Sequence, residues 1–202
     1  MGWVLGGAGI AIAAIVVVLV LVLRDNGGNS KTSATSPVAS WNSLPGVSKT
    51  KAPWAPEYAH LSDRLQPLGL SALSQEQLAF HIHQHLDIFV DGKRVSVPQF
   101  IGINDSAYIT ELHTHSTDGI VHVESARKVD YTLGQFFAEW GVFLNGRCAG
   151  DYCNGLKWYV NGVRKFGNPQ KLVLKNHEEI AIVIGKPPKK IPATFAWAAN
   201  GV

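Results

Sequence analysis

From Phe80 to Val90 the chain alternates with a period of two, placing Ile82, Leu86, Ile88 and Val90 on one parity and His81, His83, His85 and Asp87 on the other. A strand turns successive side chains to opposite faces, so this segment suits a β-strand with one apolar face and one imidazole face. Asp91-Gly92 follows, the strongest short hairpin signal in the chain, and Val95-Ser96-Val97 reads as the return strand.

A second hairpin is expected from Tyr108–His115 and Ile120–Glu124, flanking Ser116-Thr117-Asp118-Gly119. A two-residue turn at Asp118-Gly119 sets His115 opposite His122 and His113 opposite Glu124; a four-residue loop sets His113 opposite His122. Either register leaves all four side chains on one face. Thr132–Val142 reads as an amphipathic helix with Thr132 as N-cap and Leu133, Phe136, Phe137 and Trp140 as its apolar stripe. A strand at Leu156–Val160, a turn at Asn161-Gly162 and a buried strand at Glu179–Ile184 complete the order. The fold class expected is α+β: one small domain of antiparallel β-hairpins packed on a helix, β-grasp-like, behind an N-terminal transmembrane helix.

Six of the eight histidines lie between His81 and His122. Neutral imidazole is the commonest protein ligand for zinc and copper. A single His-x-His on a strand is usually a polar sheet face, whereas two such clusters on neighbouring hairpins, with His122-Val123-Glu124, point to a metal site. Reach narrows the choice. A bound metal sits only about 6–6.5 Å from a histidine Cα, while His81 and His85 are separated by roughly 13 Å along a strand. The ligand set expected is therefore His83 and His85 with His113, His115 or His122, leaving His81 for a second site or an outer shell. Asp87, Glu111 and Glu124 share the parity and would orient ligands or bind directly. Metal held by three or four imidazoles should be lost steeply as pH falls through about 6.5. Met1 is the only methionine, so a blue-copper site is disfavoured, and an all-imidazole set suits Cu(II) first and Zn(II) second.

Between Trp3 and Leu23 no side chain is charged or polar. A helix of that length is roughly 30 Å long, the thickness of a bilayer core. The organisation expected is a membrane anchor at residues 3–23, a Ser/Thr/Gly/Pro-rich linker at 24–57, the His-rich domain at 58–195 and a tail at 196–202. Arg24 after the span would by itself place the domain in the cytoplasm. The stalk-like linker, the histidine-only clusters and the closely spaced pair Cys148 and Cys153, expected to form a disulfide, favour the extracytoplasmic side. Further basic residues are expected ahead of this start site. A formal charge of +3 with scattered cations is too mild to imply nucleic acid, and no nucleic-acid partner is expected. There is no phosphate loop, no Gly-x-Ser-x-Gly elbow and no His-Glu-x-x-His helix.

The strings HIHQHLDIFVDGK, LHTHSTDGIVHVES, YTLGQFFAEWG and CAGDYC followed by YVNG resemble a group of secreted or membrane-anchored prokaryotic proteins with paired His-rich hairpins. The resemblance covers about His81 to Ile184. It implies an extracytoplasmic location and a shared domain, and it carries no reaction with it. The function expected is a membrane-anchored extracytoplasmic protein that holds or delivers Cu(II) or Zn(II). The alternatives are a metal-dependent enzyme, with Glu111, Glu124 or Asp118 as a base, and a metal-free module that docks an envelope protein.

Overall fold

The structure, a computed structural model, describes residues 1–2, 38–105 and 107–200. The anchor expected at 3–23 and the first part of the expected linker lie outside the described residues. No helix among the described residues is long and apolar enough to cross a membrane.

The domain is α+β. Helix α1 spans Leu61–Leu68 and ends on Gly69 in the left-handed region. Nine strands and a second helix follow: β1 (Phe80–Val90), β2 (Lys93–Val95), β3 (Ile103–Asn104), β4 (Tyr108–Ile109), β5 (Leu112–His113), β6 (Ile120–Ser125), α2 (Leu133–Trp140), β7 (Lys157–Val160), β8 (Val163–Lys165) and β9 (Glu178–Ile184). The main sheet runs β5-β6-β1-β9-β7-β8, with β2 paired to the far end of β1; β3 and β4 form a separate pair. Both Asp91-Gly92 and Asn161-Gly162 make the expected turns, with all four residues at positive φ. The central pairing of β1 with β9 is parallel and every other strand pair is antiparallel. Hairpin signals are local, so they carried no information about this long-range pair.

Thr132 caps α2 with a full capping box: its hydroxyl accepts from the Gln135 amide, and the Gln135 side chain accepts from the Thr132 amide. The expected apolar stripe of Leu133, Phe136, Phe137 and Trp140 faces the core, and the opposite face is buried as well, so that all eight residues of the helix are buried. Its polar positions are covered by other elements. The Gln135 side chain donates to the Leu68 carbonyl, and the buried guanidinium of Arg64 donates to the Glu139 carbonyl while pairing with Glu57. Leu86, Ile88, Val121, Val123, Ile180 and Ile182 share one core with Phe136, Phe137 and Trp140.

The packed domain starts earlier than Tyr58. Trp41, within the 3-10 turn Val38–Ser43, and Trp54 are both in that core. The polar composition of the linker stretch concealed them, since two tryptophans suffice to anchor an otherwise loop-like segment. The C-terminal tail also packs, with Phe195 stacked on His85 at 4.0 Å and Trp197 on His177 at 4.6 Å. Cys148 and Cys153 form the expected disulfide, closing the loop between α2 and β7.

Replacing Trp41 with alanine should lower the stability of the fold by about 3–5 kcal/mol, the cost of emptying a fully buried tryptophan site. Urea unfolding measures this directly. A loss near zero would return residues 38–57 to the linker.

Candidate metal centre

β6 lies between β5 and β1, and the registers on its two sides bring the histidines together. His83 of β1 and His113 of β5 both pair with His122, and His81 pairs with Glu124. The four-residue-loop alternative is thus the register adopted. His83 and His122 have ring centres 4.6 Å apart, His113 and His122 5.2 Å, and His115 and His122 4.6 Å. Two sets of donor atoms each lie within 4.8 Å of one another: His81, His83, His122 and Glu124, and His113, His115, His122 and Glu124.

The hydrogen bonds leave nitrogen lone pairs pointing inward. His113 is fully buried and its Nδ1 donates to the Thr110 carbonyl at 2.9 Å. That contact fixes the tautomer, so Nε2 carries the lone pair, and Nε2 is buried with no hydrogen-bond partner among the described residues. His83 Nε2 is likewise buried and unpartnered. Glu124 Oε1 faces three rings: His81 Nε2 at 3.1 Å, His122 Nδ1 at 3.3 Å and His113 Nε2 at 3.7 Å. His81 and His115 form the rim, with side chains 36% and 42% exposed, so the cluster opens to solvent.

Burial decides the charge of the cluster. Desolvation, reinforced by neighbouring imidazoles, lowers His83 to about 4, His122 to about 2 and His113 to about 3, the last partly offset by its bond to Thr110. These rings are neutral near pH 7, as ligation requires. Desolvation also pushes Glu124 up to about 7, helped by the charge of Glu76. The steep loss of metal expected through pH 6.5 therefore changes form: these three buried rings do not compete for protons there, whereas Glu124 does.

His85 does not join the cluster. Parallel pairing sets it beside Glu179 of β9, whose carboxylate lies 2.8 Å from Nδ1, while the Asp118 carbonyl lies 2.9 Å from Nε2. Nδ1 thus faces a carboxylate acceptor, while Nε2 has both the Asp118 carbonyl and the Arg94 guanidinium within reach, the latter at 3.1 Å. His85, Asp87 and Glu179 do form a third group with metal-ligand chemistry, but Arg94 pairs with Asp87 and supplies the cation there. Asp87 orients no ligand of the main cluster. Glu111 is also outside it, because a bend between β4 and β5 turns its carboxylate away to accept the Ser71 amide at 2.8 Å. His81, given an outer role from spacing alone, stands with His83 in the first group.

Three participants escaped sequence reasoning. Glu76 sits 3.3 Å from His115. Glu179 holds His85. The His177 amide donates to the His83 carbonyl, and its ring adds to the field that lowers His83. All three come from remote segments, and only Glu179 carried a signal, through its place in an apolar strand.

No protein-family model matches the chain, and no curated protein or solved structure matches it significantly.

The depressed histidines bind fewer protons folded than unfolded, so their contribution to stability is intact above about pH 6.5 and is lost as pH falls toward the folded values. Glu124 has the opposite sign. Raised to about 7 in the fold, it stabilises below the usual carboxylate range and loses that contribution as pH rises through 7. Glu139, Glu178 and Glu179 are raised by burial as well and act in the same direction as Glu124, so the imidazole contribution is read by difference. Replacing His113 with phenylalanine should reduce the loss of stability of metal-free protein between about pH 7 and pH 5, measured by urea unfolding at both pH values; an unchanged loss would refute the burial of this imidazole as a neutral ring.

Proposed function

We propose that this chain is a membrane-anchored, extracytoplasmic metal-binding protein that holds or delivers copper or zinc at the cluster of His81, His83, His113, His115, His122 and Glu124. The observation that carries this reading is the inward, unpartnered Nε2 of fully buried His113, fixed by the Thr110 carbonyl. Burying a polar nitrogen without a partner costs roughly 1–3 kcal/mol, and a metal ion supplies the missing partner. Neutral rings around it remove the usual proton competition, and the exposed His81 and His115 give an ion a way in.

Cu(II) leads Zn(II), because the donor set is imidazole-rich and contains no thiolate, and affinity rises to copper in the divalent series. The disulfide supports an oxidising compartment, and the apolar run at Trp3 to Leu23 supports the anchor. The sheet supports a β-grasp-like description: two hairpins flank a parallel central pair, with α2 in the connection between them.

The test is equilibrium dialysis of the intact chain against Cu(II) and Zn(II). Stoichiometric binding is expected. It should be abolished by His83→Ala combined with His113→Ala and retained by His85→Gln, with folding checked by circular dichroism. No binding by the unmodified chain would overturn the proposal.

A further inference from the structure

The cluster contains more imidazole than one ion uses, and it is arranged in two halves. A tetrahedral site takes four ligands, whereas five histidines and a carboxylate converge here. β6 supplies the axis. On one side β1 presents His81 and His83, with ring centres 4.4 Å apart and planes at 66°. On the other side β5 and the residues after it present His113 and His115, 4.7 Å apart at 74°. Each pair couples a buried ring with an unpartnered nitrogen, His83 or His113, to a half-exposed one, His81 or His115.

The shared residues sit between the halves. His122 lies 4.6 Å from His83 and 4.6 Å from His115, ring centre to ring centre. Glu124 Oε1 touches one nitrogen from each half, His81 Nε2 at 3.1 Å and His113 Nε2 at 3.7 Å. Its second oxygen, Oε2, is buried and has no hydrogen-bond partner among the described residues. A carboxylate in that position, with one oxygen facing both ligand pairs and the other free, suits a bridging ligand.

We propose that the site holds a pair of divalent ions, one on His81 and His83 and the other on His113 and His115, bridged by the Glu124 carboxylate. His122 completes one of the two coordination shells. This rests on the metal-binding reading above and adds to it the nuclearity and the division of ligands. Two divalent ions bring more positive charge than Glu124 and the nearby Glu76 can balance, so water bound at the metals, made acidic by them, supplies the remaining anion as hydroxide.

Stoichiometry and spin coupling test this on the intact chain. Titration with Zn(II) should end at two equivalents. In the Cu(II) form, the paramagnetic resonance signal should grow to one equivalent and then shrink as the second ion couples to the first. His81→Ala with His83→Ala should leave one equivalent, and so should His113→Ala with His115→Ala. An end point of one equivalent in the unmodified chain would overturn the pair while leaving a metal-binding protein; an end point of zero would overturn both. Two equivalents of Cu(II) with additive, uncoupled signals would refute the Glu124 bridge.

Discussion

The structure depends on the position of β6 between β1, which carries His81 and His83, and β5, which carries His113 and leads on to His115. Strand geometry alone sends alternate side chains to one face, but it cannot bring distant histidines together. The pairing of His122 with His83 on one side and with His113 on the other does that. Because register has a period of two, a slip by one residue would turn the histidines of the slipped strand into the hydrophobic core and its valines or leucines into solvent. The apolar face therefore enforces the polar one: Leu112, Val121 and Val123 hold the register in which the imidazoles meet.

Convergence has an electrostatic consequence. Five imidazoles at this spacing cannot all be charged, and burial keeps the central three neutral. The same desolvation holds Glu124 near 7, so the cluster is close to electrically neutral and rich in lone pairs. A metal-free cluster of this kind spends stability on unpartnered nitrogens, and the fold offsets that cost with the core beneath it. At the neighbouring His85 both ring nitrogens have partners within the fold, Glu179 at Nδ1 and the Asp118 carbonyl and Arg94 at Nε2.

Much of this was legible from local pattern. The alternation of Phe80–Val90, the turns at Asp91-Gly92 and Asn161-Gly162, the Thr132 cap and the disulfide are short-range features with short-range signals. The grouping of the histidines was only half legible. Spacing argued against His81 and His85 sharing one ion and gave His85 as the partner of His83, whereas His81 holds that place. That choice was made by β9, which pairs parallel to β1 and presents Glu179 to His85. The bend that removes Glu111 from the cluster and the burial of Trp41 arise from tertiary packing, to which composition is blind.

The most direct test of the central claim is nitrogen-detected magnetic resonance of the histidine rings in the folded protein. The account predicts that His83, His113 and His122 stay neutral at about pH 5.5, well below the ordinary imidazole value. It also predicts that metal-free His113 carries its proton on Nδ1, and that its Nε2 resonance moves when Cu(I), as a diamagnetic stand-in for copper, or Zn(II) is added. Three rings that titrate near 6.5 and do not respond to metal would contradict it.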